Sequence, residues 1–209
     1  MALVTKHRVY IETTIISDWL LVETSRRNQR NLLGSEVRAS HELISFLLQR
    51  DNDVILPFTS YWAIFESVGV IKRTNIELWL VYDGIPTKFY HELKDNENYK
   101  LQDFQIKKIK DLIHKLTTEG KKNKPLKLLV EQSDINTALF LILNKDLEAP
   151  DSFHVGIALS YGCDFFVTKD HHYQKCQEYF KDKHMQIVKP QALIKILKGE
   201  GFVIPSYSS

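Results

Sequence analysis

The sequence predicts an α/β fold: a central parallel sheet of four to five strands, flanked by helices. Three observations predict it. Short β-branched and aromatic runs alternate with longer stretches of helical apolar spacing. Proline and glycine punctuate the joints, at Pro57, Gly162, Pro190 and Gly199. The 209 residues suffice for one well-formed core, so we expect a single domain over 1–209.

Val9-Tyr10-Ile11 reads as the first strand, with Glu12 at its carboxyl end, and Thr13-Thr14-Ile15-Ile16-Ser17 turns into a helix. A polar stretch over 23–31 follows, and Ser35 can cap a helix with Leu43, Ile44, Phe46 and Leu47 on its apolar face. Val54-Ile55-Leu56 is the second strand, closed by Pro57; Ser60 can cap the helix after it, which carries Tyr61, Trp62 and Glu66. Gly84 and Pro86 break the region 74–98, where two short helices are expected. An amphipathic helix runs from Leu101 through Phe104, Ile109 and Leu112 to Leu116. A basic loop over 120–125 leads to a third strand over 126–130 and a helix that Ser133 can cap. Ala149-Pro150-Asp151 opens another helix, which Gly162 can terminate. Phe165-Phe166-Val167 is the fourth strand and ends in Thr168-Lys169-Asp170; Ile187-Val188 is the fifth, and the last helix starts at Pro190 and ends at Gly199.

Composition excludes several classes. A net charge of +2 is too mild to prove a nucleic-acid partner. Cys163 and Cys176 form no CxxC pair and no disulfide framework, which fits a reduced, cytoplasmic setting. The first eight residues lack the apolar core of a secretory signal. No apolar run approaches the roughly 18 residues that span a bilayer, so no membrane partner is expected. There is no GxSxG elbow, P-loop or GxGxxG.

What stands out is acidic. Open α/β sheets bind ligands at the carboxyl ends of their strands. Glu12 and Asp170 follow strands one and four, and Asp151 sits in the first turn of a helix. Glu66 lies inside the helix after strand two. Each has a plain reading as a cap or a solvated charge. Brought together, four carboxylates would repel one another and raise their pKa values unless a cation joined them. Oxygen-only ligands select Mg²⁺ or Mn²⁺ over zinc, and such ions polarise phosphodiesters.

These stretches resemble a known family, the PIN domains. Residues 9–17 resemble its opening motif, an apolar strand, an acid, a hydroxyl residue and a short apolar helix start. Residues 149–158, Ala-Pro-Asp-Ser-Phe-His-Val-Gly-Ile-Ala, are similar to its later motif, and residues 162–170 to its final strand ending in Thr-x-Asp. Ile187-Val188-Lys189-Pro190 is similar to the closing strand and helix. The resemblance spans the chain, with 74–125 a helical, poorly matched segment. It implies a Mg²⁺- or Mn²⁺-dependent endoribonuclease cutting single-stranded RNA, often the toxin of a toxin–antitoxin pair, with RNA, a cognate antitoxin and a second copy of the chain as the expected partners. Glu12, Asp151 and Asp170 match the first, third and fourth acidic positions, and Glu66 is the choice for the second. Thr13 and Thr168 match the hydroxyl positions that hold acids and water. Two residues depart from the pattern: Glu12 replaces the commoner Asp, and Lys169 stands where a small polar residue is frequent.

Two basic groups could track phosphates: Arg26, Arg27, Arg30 and Arg38, and the lysines between Lys107 and Lys127. Tyr90 and Tyr99 could stack on bases. His154 shares a helical face with Asp151 and suits a supporting role; His171 and His172 are weak candidates for substrate contact. Trp19, Trp62 and Trp79 read as core or interface residues. Two alternatives compete with the enzyme: a catalytically weak PIN module that acts by binding RNA or protein, and a phosphohydrolase with an aspartyl nucleophile. The latter wants DxD after strand one, where this chain has Glu12-Thr13-Thr14.

Overall fold

A computed structural model describes residues 7–25, 33–49, 54–94, 96, 100–120, 124–129 and 135–205. Arg26, Arg27, Arg30, Tyr99, Lys121, Lys122 and the Ser133 cap lie outside these residues.

Five strands form one wholly parallel sheet: β1 (His7–Ile11), β2 (Ile55–Ser60), β3 (Lys127–Leu129), β4 (Phe165–Val167) and β5 (Gln186–Val188). Their order is β3-β2-β1-β4-β5. The chain winds outward from β1 to β3, then restarts on the other side of β1 with β4. That reversal makes the carboxyl ends of β1 and β4 the switch point, where a crevice opens in such sheets.

Strand alternation distributes the core. Val9 and Ile11 face one layer, with Ile55, Phe165 and Val167, under α1 (Thr13–Thr24), α2 (Ser35–Leu47) and α3 (Tyr61–Tyr82). Leu112 and Leu116 of a later helix, Asp103–Thr117, join that layer, as do Leu193 and Leu197 of the last, Pro190–Gly199. Tyr10, Phe58 and Phe166 face the other layer, beneath the helices Ile135–Lys145, Ala149–Ser160 and Gln177–Asp182.

Several joints differ in detail from the sequence reading. Strand β2 does not stop at Pro57 but runs on to Ser60. Pro57 is tolerated because β3 joins only from Phe58 onward, leaving the proline opposite Val9 of β1 alone. Ser60 caps α3 as expected, its hydroxyl accepting from the Ala63 N–H at 3.0 Å. Helix α3 then continues for 22 residues, past Thr74 to Tyr82. Gly84, at φ +73°, and the Ile85 N–H bonding back to the Leu80 carbonyl end it. The two short helices expected here are a 3₁₀ turn over Thr87–Phe89 and one helical turn, α4 (Tyr90–Leu93). The remaining helices are α5 (Asp103–Thr117), α6 (Ile135–Lys145), α7 (Ala149–Ser160), α8 (Gln177–Asp182) and α9 (Pro190–Gly199). Gly34, one residue before Ser35, caps α2. Among the described residues no helix is long and apolar enough to cross a membrane.

Candidate active site

Glu12 leaves β1 at the switch point and caps α1 with its own side chain. Its Oε2 accepts the Thr14 N–H at 3.0 Å, the Thr14 hydroxyl at 2.5 Å and the Thr168 hydroxyl at 3.1 Å. Glutamate can serve here because its extra methylene lets the carboxylate reach past the cap to β4. Among the described residues no donor reaches Oε1. The residue is only 5% exposed. Burial pushes its carboxyl above the usual range, and the bonds from Thr14, the field of His154 and the bond from Thr168 offset only part of that.

Thr168 ties Glu12 to Asp170. Its oxygen donates to Glu12 and accepts the Asp170 N–H at 3.0 Å. Asp170 folds back to accept the His172 N–H at 2.8 Å and caps the 3₁₀ segment His171–Cys176. Beside it, at the ends of β4 and β5, lies a cleft of about 340 Å³ whose lining includes Thr168, Asp170, Gln174, Val188 and Lys189.

Glu66, in the second turn of α3, is not a solvated charge. Its Oε2 accepts the Thr13 hydroxyl at 2.7 Å and Nε2–H of His154 at 2.9 Å, and its Oε1 accepts the Trp62 indole N–H at 2.7 Å. Burial alone would raise its carboxyl, but the bonds from His154 and Thr13 outweigh it and hold the pKa below the usual range. His154, fully buried on α7, has its other ring nitrogen 2.9 Å from the Tyr10 hydroxyl. The expected supporting role of His154 is thus to fix Glu66. Of the two readings of Trp62, core or interface, the core one fails: it is exposed at the surface, and its indole N–H is bonded to Glu66.

Asp151 lies in the first turn of α7, behind Pro150, and accepts the Tyr173 hydroxyl at 3.1 Å. Burial raises its carboxyl most; the charges of Asp170 and Glu148 raise it further. Tyr173 is buried, and its hydroxyl is held protonated by burial and by Glu12 and Asp151. Its ring lies 4.9 Å from that of Phe166, which stacks on Tyr10 at 5.3 Å.

The four acids are held in three separate hydrogen-bond groups: Thr168 joins Glu12 to Asp170, Thr13 and His154 hold Glu66, and Tyr173 holds Asp151; between the groups charge acts, from His154 on Glu12 and from Asp170 and His154 on Asp151. Their oxygens do not meet at a single point. Among the described residues, no three of these carboxylates offer oxygens within 4.8 Å of one another; Asp170, His171 and His172 are the only trio that do. Nor does any described Lys or Arg nitrogen come within 4.0 Å of the four. Lys169 points its ammonium instead at Asp18 of α1, 2.5 Å away, where the Ser40 hydroxyl also donates at 2.7 Å. Asp18 is buried, and burial raises its carboxyl despite that lysine. This pair leaves no signal in the sequence: Asp18 directly follows the opening motif inside a helix, and its partner is 151 positions away.

The donor chemistry fits a hard divalent ion. The free groups are carboxylate oxygens, two of the acids have raised pKa values, and no described cationic side chain of Lys or Arg neutralises them. No protein-family model matches the chain, and no curated protein matches it.

Proposed function

We propose that this chain is a PIN-domain ribonuclease, an endonuclease that hydrolyses phosphodiester bonds of single-stranded RNA with Mg²⁺ or Mn²⁺. The observation that supports it best is the gathering of the four acids near the switch point of the sheet, where Glu12 and Asp170 share Thr168 and the field of buried His154 reaches Glu12, Glu66 and Asp151. Glu12, Asp151 and Asp170, with Glu66 as the fourth, would hold the ion. Once bound, such an ion supplies Lewis-acid polarisation of the phosphodiester and makes water a nucleophile near neutral pH.

The chain's own residues position the acids. Thr168 keeps Glu12 and Asp170 in register, Thr13 and His154 fix Glu66, and Tyr173 orients Asp151. The buried wall of Tyr10, Phe166 and Tyr173 lowers the local dielectric, which strengthens each of these interactions. Lys107, Lys108 and Lys110, exposed on α5, suit a polyanionic strand. The reading extends to a cytoplasmic toxin held by a cognate antitoxin, and to a homodimer, because PIN domains often act so. Both cysteines are free thiols, which suits a reducing compartment.

A second reading has one observation of its own. Both oxygens of Glu66 are already engaged, by Trp62 on one side and by Thr13 and His154 on the other. A PIN module that binds RNA or protein with little catalysis would tolerate that. Cleavage of a mixed single-stranded RNA pool with Mn²⁺, with Mg²⁺ and with EDTA tests the enzyme. Cleavage with either metal, abolished by EDTA, is expected; cleavage that persists in excess EDTA refutes the metal mechanism. If there is no cleavage, calorimetric titration with Mn²⁺ decides, since a binding module shows no specific Mn²⁺ uptake.

A further inference from the structure

The three consecutive residues Asp170, His171 and His172 each present a ligand atom, and these atoms lie within 4.8 Å of one another. The cap geometry produces this. Asp170 turns back to accept the His172 N–H, which fixes its carboxylate over the first 3₁₀ turn. Nδ1 of His172 then stands 3.5 Å from Asp170 Oδ1, and Nδ1 of His171 stands 3.7 Å from it. The two imidazoles are 4.3 Å apart between centroids.

These spacings suit a small ion. Zinc bonds to imidazole nitrogen and carboxylate oxygen at about 2.0–2.2 Å, which separates tetrahedral donors by roughly 3.3 Å. The histidine side chains are 79% and 50% exposed, so their rings can turn by that remaining distance without disturbing the core. Three other histidines are committed to acids: His154 to Glu66, His7 to Glu200 and His41 to Glu23. Among the described residues neither His171 nor His172 has a ring hydrogen bond.

We propose that Asp170, His171 and His172 form a site for a borderline transition-metal ion of the zinc class, at the rim of the acidic network. Two imidazoles and one carboxylate select Zn²⁺ or Co²⁺ over Mg²⁺, which prefers oxygen. Solvent fills the remaining positions. Asp170 belongs to both sets, so the ion withdraws it from the carboxylates. Resting on the ribonuclease reading, zinc at this trio opposes Mg²⁺-dependent cleavage.

Metal-stripped full-length protein is titrated with Zn²⁺ by calorimetry and with Co²⁺ by visible absorption. The wild type is expected to take up one equivalent and to show Co²⁺ d–d bands. His171→Ala with His172→Ala removes the bands and weakens Zn²⁺ binding by at least about tenfold, the smallest loss seen when supporting groups alone are removed. Asp151→Asn leaves both signals in place. Unchanged binding in the histidine double variant overturns the site, as does loss of binding in Asp151→Asn, which would seat the ion among the acids. Absence of Zn²⁺ uptake by the wild type overturns it as well. Retained Zn²⁺ binding without Mn²⁺ binding or cleavage sinks the ribonuclease reading alone. Where RNA is cleaved, added Zn²⁺ inhibits the wild type and not the histidine variant; equal inhibition of both refutes the shared role of Asp170.

Discussion

Asp151→Asn tests charge separately from shape. The Tyr173 hydroxyl donates to one carboxylate oxygen of Asp151 at 3.1 Å, and the asparagine carbonyl can accept the same bond. What disappears is one negative charge at the start of α7, beside Asp170 and Glu148. On the ribonuclease reading that charge is a metal ligand, and its loss lowers RNA cleavage at least about a hundredfold, equal to roughly 2.7 kcal/mol of barrier. Stability moves the other way. Burial, with Asp170 and Glu148, raises the Asp151 carboxyl, so the ionised side chain destabilises the metal-free fold above its folded pKa. The metal-free variant therefore melts no lower than wild type at pH 7, and any gain shrinks as pH falls through the raised folded pKa of Asp151 and is gone below the usual carboxylate pKa. Saturating Mn²⁺ reverses the order: at a hundredfold over its Kd an ion adds about 2.7 kcal/mol. That raises the wild-type Tm by about 5–11 °C for a chain of this size. The assay pairs cleavage of a mixed RNA pool with melting curves in EDTA and in Mn²⁺. Equal cleavage by both proteins refutes the mechanism. A metal-free variant that melts several degrees lower refutes the electrostatic account of Asp151.

Glu12, Asp18 and Asp151 all have raised pKa values, so without metal the melting temperature should rise as pH falls from 7 toward their unfolded values near 4–4.5, and Glu12→Gln should flatten that rise. Glu66, held low, acts oppositely but only below about pH 4.5, since its stabilising charge is lost on passing its folded pKa; a melting temperature that falls steadily from pH 7 to 5 contradicts this assignment. Lys169→Met leaves the Asp18 carboxylate buried without its cation and should cost about 3 kcal/mol in urea unfolding, with partial recovery on adding Asp18→Asn; a wild-type midpoint would show that the pair contributes nothing. Thr168→Val removes a donor to Glu12 and an acceptor for the Asp170 N–H, and should cost about 1–3 kcal/mol in the same measurement, together with most of the Mn²⁺ affinity.

The sheet is legible in the sequence because its signals are local. Val9-Tyr10-Ile11, Phe165-Phe166-Val167 and the Pro150 and Pro190 helix starts each announce themselves within a few residues, and all five expected strands form. Boundaries differ where partners decide them. Pro57 reads as a terminator, yet the late arrival of β3 leaves room for it inside a strand. Helix α3 outruns its expected end because Ile71, Ile76 and Leu80 bury along it, and that burial depends on what packs there.

The acids stand out in the sequence, and so do Thr13, Thr168 and His154, but which acid each of these holds does not, and the difference is one of sequence separation. Strand ends mark Glu12 and Asp170, but nothing near Glu66 announces Thr13, 53 residues earlier, or His154, 88 residues later. Lys169 shows why those partners matter. Read beside Asp170, it looks like a built-in counterion for the acids. In the fold it turns to Asp18, and Ser40 completes that pair from α2. The charge that could have neutralised the network is thus committed to anchoring the loop after β4 onto α1. This leaves Glu12 and Asp151 with raised pKa values and, among the described residues, with no lysine or arginine beside them. A network so arranged gains most from a cation that arrives from solution, and the lysine whose position in the sequence argues against metal binding is, by its placement in the fold, consistent with it.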